Sequence, residues 1–113
     1  MGTREVVEKH LEALRSAKLD AVLENFAEDA VLITAETVHR GHDGLRELFH
    51  PVLEAMFAPP ESWLTLDSLT VDGELALITW RMGFPGGEVT FGTDTFVVRE
   101  GKIVFQTGAA QLA

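Results

Sequence analysis

The sequence predicts an α+β domain, in which three N-terminal helices pack against a curved antiparallel sheet that encloses a pocket. Two observations favour this class. In the first half of the chain, apolar residues recur every three or four positions, as on one face of a helix. In the second half they alternate with polar residues, and turn sequences separate the runs. Helices first and strands afterwards place the helices on one face of the sheet.

Length and composition restrict the possible classes. The chain has 113 residues, which allows one domain, residues 1–113, with one core. It has no cysteine, so it can form neither a disulfide nor a thiolate site, which fits a cytoplasmic location. The net charge of −9 argues against nucleic-acid binding. No apolar run is long enough to cross a membrane, and the N-terminus does not resemble a secretion signal.

The expected elements follow these patterns in order. The first helix carries Val7, His10, Leu11 and Leu14 on one stripe, and a strand is expected at Ala30–Ala35. The second helix carries Leu19, Val22, Leu23 and Phe26, and the third carries Leu45, Leu48, Phe49, Val52, Leu53, Met56 and Phe57, with a kink expected at Pro51. The later strands are expected at Trp63–Val71, Glu74–Phe84, Glu88–Arg99 and Lys102–Leu112. Turn sequences join them into three successive hairpins, and such long twisted strands can curl around helices and leave a cavity.

Two titratable residues point toward that cavity. His10 lies on the inner stripe of the first helix, where it is either a catalytic group or a core histidine bonded to a backbone carbonyl. Asp94 lies in the middle of a strand, and alternation places it on the same face as Phe96 and Val98. An inward carboxyl group would have a raised pKa and could act as a general base or an acid. The alternative is a solvated Asp94 on the outer face of the sheet.

Other polar residues are candidates for substrate binding. Gln106, in the last strand, could hold a ligand or Asp94, or it could be a satisfied sheet residue. The strand Glu74–Phe84 is apolar on both faces, with Arg81 on one and Trp80 on the other. One face should line the pocket and the other should meet a second subunit, so we expect a homodimer. The sequence leaves open which face is inner.

Signals for cofactors and metals are absent. The chain contains no nucleophile elbow, phosphate loop or dinucleotide fingerprint, so no cofactor is expected. His39, His42 and His50 do not form a set of three converging ligands, so no metal site is expected.

Several segments together resemble the superfamily of ketosteroid-isomerase-like and nuclear-transport-factor-like proteins, which includes SnoaL-like polyketide cyclases. The resemblance covers nearly the whole chain and predicts the same architecture as a cone-shaped roll, but that fold hosts both enzymes and binding proteins. The segments that carry it are residues 6–14, 19–31, 40–49 and 94–103.

The resemblance also implies roles for single residues. Asp94 resembles the oxyanion-hole aspartate of the isomerases, and His10 falls where they have a tyrosine. Gln106 falls on a pocket-lining position. Thr34 falls where they have the catalytic base, and a threonine cannot abstract a proton at neutral pH, so the base of the isomerases has no counterpart at this position. The implied register turns Arg81 inward and leaves the Trp80 side for dimerisation, although a difference of one residue would reverse this.

Two functions follow from these residues. The first is a lyase, isomerase or cyclase without a cofactor, in which Asp94 and His10 handle a proton on a small apolar carbonyl or aromatic substrate. Gln106, Arg81, Thr34 and Trp80 would then bind that substrate. The second is a non-catalytic module that binds an apolar ligand or dimerises.

Overall fold

The computed structural model describes all residues, 1–113, and has the α+β architecture that the sequence predicts. None of the helices combines the length and the hydrophobicity that a membrane span requires. The helices are α1 (Thr3–Arg15), α2 (Leu19–Glu24) and α3 (Gly41–Val52), and a π-helical turn, Leu53–Phe57, extends α3. The strands are β1 (Phe26–Thr34), β2 (Val38–Arg40), β3 (Trp63–Asp72), β4 (Leu75–Phe84), β5 (Gly87–Arg99) and β6 (Lys102–Leu112).

The first helix buries the stripe that its spacing predicts, but Phe26, expected on the second helix, lies in β1, which begins four residues before the expected Ala30. In α1 the buried residues include Val7, His10, Leu11 and Leu14. Pro51 lies in the last turn of α3, and the π-helical turn follows directly. A proline has no N–H for the helical ladder and its ring crowds the preceding turn, so a change of helical type is expected there.

All six strands form one sheet in the order β2-β1-β6-β5-β4-β3. The expected meander is present, because β3, β4, β5 and β6 pair antiparallel in sequence. Two features were not predicted. The short strand β2 pairs with β1, and β1 pairs in parallel with β6, so the first strand lies beside the last. This parallel pair attaches the helical half of the chain to the meander.

The two faces of the sheet have different surroundings. Ala76, Ile78, Phe96 and Val98 are buried on the inner face, where they share a core with the helices. On the outer face, Leu75 and Leu77 of β4 and Phe105 of β6 are exposed. The inner face of β4 is therefore the one that carries Ile78, Trp80 and Met82.

Candidate functional site

A cavity of about 380 Å³ lies between α1, α3, the π-helical turn and the inner face of the sheet. Of its 24 lining residues, 18 are hydrophobic, so a bound molecule would contact mainly apolar side chains. A few converging polar groups in an apolar cavity are typical of small-molecule sites. The side chains in the lining that can hydrogen-bond are His10, Thr34, Glu36, Trp80, Asp94 and Gln106.

Asp94 is held in this wall by two side-chain hydrogen bonds. Its Oδ1 accepts a hydrogen bond of 2.8 Å from Trp80 Nε1, and its Oδ2 accepts one of 2.8 Å from Gln106 Nε2. Burial raises the pKa of Asp94 above its usual range, while these two N–H donors oppose that rise because they stabilise the carboxylate. A carboxylate offers about four acceptor positions, so two remain for a ligand.

Two glycines create the space for this arrangement. Gly92 pairs with Trp80 across β4 and β5, and the indole occupies the volume that a Cβ at Gly92 would need. Gly108 pairs with Asp94 across β5 and β6, where a Cβ would lie 2.8 Å from Oδ2. Because these glycines have no side chain, the indole of Trp80 can pack over Gly92 and the carboxyl group of Asp94 over Gly108.

His10 forms another part of the wall, at the side of α1. It is 1% exposed, and its ring makes edge contacts with Phe26, Phe49 and Phe96 at centroid distances of 5.4, 5.9 and 5.5 Å. Neither ring nitrogen has a hydrogen-bond partner, so His10 is not the satisfied core histidine of the alternative interpretation. Burial lowers the pKa of His10 to about 4, and the ring is neutral at pH 7.

Gln106 and Thr34 lie in the same lining, but they differ in whether a side-chain atom is free to form a hydrogen bond with a ligand. The amide of Gln106 holds Asp94 through Nε2, and its Oε1 is buried without a partner. The hydroxyl of Thr34 is engaged in the turn between β1 and β2, since it contacts Thr37 Oγ1 at 2.9 Å and accepts from the backbone N–H of Glu36 and Thr37. Thr34 thus shapes the edge of the cavity rather than presenting a free hydroxyl.

The expected inward orientation of Arg81 is wrong. Arg81 lies on the outer face, where Nε and Nη2 each contact a carboxylate oxygen of Asp67 at 2.8 Å. Alternation along β4 explains this, because an inward Trp80 requires its neighbour to point outward. The side of β4 that carries Trp80 is consequently the pocket side, and Trp80 is not available for a dimer contact.

Some features of the site had only weak signals in the sequence. Gly92 and Gly108 interrupt strands, where an isolated glycine indicates a close approach, but the sequence does not say what approaches. Met56 and Phe57, which the sequence places on the apolar stripe of the third helix, line the cavity from the π-helical turn that extends this helix. No three His, Asp or Glu side chains come close enough together to hold a metal ion.

Comparison with known proteins gives a family and a fold. A family model described as "SnoaL-like domain" matches residues 7–106. Among curated proteins, no sequence matches the chain.

Many solved structures share this architecture. A candidate polyketide cyclase from Sinorhizobium meliloti has a TM-score of 0.77 at 24% identity, over 92% of this chain and 93% of that one. The epoxide hydrolase/cyclase-like enzyme SalBIII of salinomycin pyran ring formation has a TM-score of 0.81 at 21% identity. The match covers 96% of this chain and 90% of that one. A candidate ketosteroid isomerase from Kribbella flavida has a TM-score of 0.81 at 18% identity. The match covers 98% of this chain and 78% of that one. At these identities the likeness concerns the fold alone.

Proposed function

Because the chain belongs to the SnoaL-like domain family, whose fold includes cyclases and isomerases, we propose that it catalyses proton transfer on a small apolar carbonyl compound, with Asp94 as the general base. The observation that carries this proposal is the partly buried carboxyl group of Asp94, which is held by two N–H donors in a predominantly apolar cavity.

The hydrogen bonds of Asp94 favour a base over a hydrogen-bond donor. Trp80 and Gln106 each aim an N–H at one carboxylate oxygen, and both interactions are strongest when the group is ionised. Burial at the same time raises the pKa of Asp94, which makes the carboxylate a better proton acceptor than an exposed aspartate. The oxyanion-hole role implied by the family resemblance would instead require a protonated Asp94.

The proposed reaction begins at a carbon next to the carbonyl group. A free lone pair of Asp94 takes the proton from that carbon, and the electrons of the C–H bond move toward the carbonyl oxygen. Return of the proton from Asp94 to another carbon of the same enolate would give an isomerase. Attack of the enolate carbon on a second carbonyl carbon of the same molecule breaks the π bond of that carbonyl group, and its oxygen takes the proton from Asp94, which would give a cyclase. His10 does not act as a cationic acid at neutral pH, since its pKa is about 4; it offers a neutral N–H to an oxygen of the substrate.

A test of this function does not require the natural substrate. Small aromatic and alicyclic ketones in D₂O would be followed by proton NMR for loss of the signals next to the carbonyl group. We expect exchange with the wild-type protein and its loss in Asp94→Asn. The matched control is Asp67→Asn, which makes the same change at an outer-face carboxylate and should keep the exchange. Equal exchange in wild type and Asp94→Asn would refute the role of Asp94.

The second candidate is a non-catalytic ligand-binding module. It is favoured by the hydroxyl of Thr34, which is engaged in a turn where the isomerases keep their base. In that case the ketones would bind in the cavity, as measured by a change in Trp80 fluorescence in a Trp63→Phe background, but no exchange would occur in either protein.

The outer face of the sheet supports a further part of the proposal, a homodimer. A cross-strand row of Val31, Phe105, Val97 and Leu75 is apolar, and Leu77 lies in the next row. Leu75 and Phe105 are about half exposed, at 52% and 47%, so the patch lacks a partner within the chain. Native mass spectrometry at micromolar concentration should give a dimer, and Leu77→Arg should give a monomer. A monomeric wild type would exclude the dimer without affecting the role of Asp94.

A further inference from the structure

Three buried polar atoms in the cavity wall have no hydrogen-bond partner: both ring nitrogens of His10 and Oε1 of Gln106. The residues are 1% and 5% exposed, and both line the cavity. Buried polar groups are normally paired, because a group that has lost water without gaining a partner destabilises the fold. The hydrogen-bonding character of these atoms therefore indicates what the cavity is built to hold.

The orientation of Gln106 is fixed by Asp94. An ionised carboxylate can only accept, so the amide nitrogen of Gln106 must face Oδ2, which it contacts at 2.8 Å. The carbonyl oxygen is the end that remains without a partner. Gln106 consequently presents an acceptor, and only a group that carries a hydrogen on an electronegative atom can satisfy it.

His10 presents one donor and one acceptor, since a neutral imidazole has one N–H and one bare nitrogen. Its ring is surrounded by the edges and faces of three phenylalanines, which cannot pair with either nitrogen. The two residues border the same part of the wall, because Gln106 pairs with Phe96 across β5 and β6 and the ring of Phe96 contacts His10.

We propose that the ligand of this cavity carries a hydroxyl group that donates to Gln106 Oε1 and accepts from the N–H of His10. This inference deepens the proposed function and rests on it in one respect, namely that the same cavity holds the substrate. A carbonyl or ether oxygen would satisfy His10 but leave Gln106 unpaired, and a methyl group would leave both unpaired.

Charged head groups fit the site less well. A carboxylate has no hydrogen to give Gln106, it would meet the carboxylate of Asp94, and the lining contains neither lysine nor arginine. An ammonium group could pair with the carboxylate of Asp94, but it has no lone pair for the N–H of His10 and would lose its hydration in an apolar cavity. A neutral alcohol or phenol is the class that can pair with both Gln106 Oε1 and the N–H of His10.

The test is an equilibrium binding series with 2-naphthol, 2-methylnaphthalene and 2-methoxynaphthalene, measured by isothermal titration calorimetry. None of the three has a carbonyl group, so the outcome is independent of any catalysis by Asp94. In His10→Phe and in Gln106→Met, the affinity of 2-naphthol relative to 2-methylnaphthalene should fall about tenfold, equivalent to about 1.4 kcal/mol. Because the comparison is between proteins, the different costs of removing the two ligands from water cancel.

The ether separates the two hydrogen bonds. The relative affinity of 2-methoxynaphthalene should fall in His10→Phe, which removes its donor, and stay unchanged in Gln106→Met, since an ether cannot donate to Gln106. A ratio for 2-naphthol that is unchanged in His10→Phe would assign the hydroxyl to Asp94 and overturn the proposal.

A measurement on the wild-type protein covers the case in which the variants do not fold. With ¹⁵N-labelled histidine, 2-naphthol should move the ring nitrogen resonances of the one histidine in the cavity lining, His10, and 2-methylnaphthalene should not. Identical spectra with the two ligands would also overturn the proposal. If the binding series gives the expected results but no ketone protons exchange, the hydroxyl site is supported and the proposed catalytic function is refuted.

Discussion

His10 should make the stability of this protein strongly dependent on pH. The folded chain holds His10 with a pKa of about 4, whereas a histidine in the unfolded chain has a pKa near 6.5. Between these values the unfolded chain binds a proton that the folded chain does not, so the free energy of unfolding falls as the pH falls. Each pH unit in this window costs about 1.4 kcal/mol, which gives about 3 kcal/mol over the whole window.

The perturbation that isolates this effect is His10→Phe, which leaves an aromatic ring among Phe26, Phe49 and Phe96. Urea denaturation of both proteins would be measured from above pH 6.5 down to about pH 4. The difference in free energy of unfolding between variant and wild type should shift by about 3 kcal/mol in favour of the variant. Subtraction removes the contribution of Asp94, whose raised pKa acts in the opposite direction in both proteins.

The matched control is His50→Phe, because the side chain of His50 is 62% exposed and its contact with Glu54 lies on the surface. Its stability curve should run parallel to that of the wild type. If the wild-type and His10→Phe curves are parallel throughout the window, His10 is protonated in the folded state, and its description as a neutral buried ring is wrong.

Three further predictions concern Asp94 and its support. Trp80→Phe removes one N–H donor from the carboxylate and should raise the pKa of Asp94. The pH at which the exchange rate rises, measured by the same NMR assay, should therefore increase by about one unit. Gly92→Ala places a methyl group where the indole lies, so the free energy of unfolding measured with urea should fall by about 2 kcal/mol. In the control Gly86→Ala the new Cβ would have its nearest neighbour at 3.4 Å, so the free energy of unfolding should change little. Asp94→Asn should gain stability relative to the wild type as the pH rises, since the buried charge is removed; a difference independent of pH would contradict a raised pKa.

The fold was largely accessible from the sequence, because hydrophobic spacing and turn residues act locally. The strand bounds of the meander were predicted to within a residue or two, and the predicted stripe of α1 is buried together with Val6 and Ala13. The parallel pairing of β1 with β6 was missed, since the two strands are far apart in sequence and neither carries a local signal for its partner. The strand β2 has only three residues, too few for a periodic pattern.

The site was predicted less completely than the fold. His10 lines the cavity from the helix side, and Asp94 and Gln106 line it from the sheet, which agrees with the inward alternative of each interpretation. The orientation of β4 could not be obtained in the same way, since both of its faces are apolar and alternation alone fits either. The hydrogen bond from Trp80 to Asp94 resolves that choice, and it depends on Gly92 in a neighbouring strand, a contact between strands that no local pattern contains.

The pairing of β1 with β6 has a consequence for how the molecule assembles. Backbone hydrogen bonding begins where Ile103 donates to Asn25, and the register then places Leu32 beside Gln106. During synthesis the helices and β1 leave the ribosome long before β6, so the early half of the chain must wait with one edge of β1 unpaired. Contacts so distant in sequence slow folding. Gln106 arrives with β6, so the strand that joins the two halves of the sheet also delivers the last hydrogen bond to Asp94.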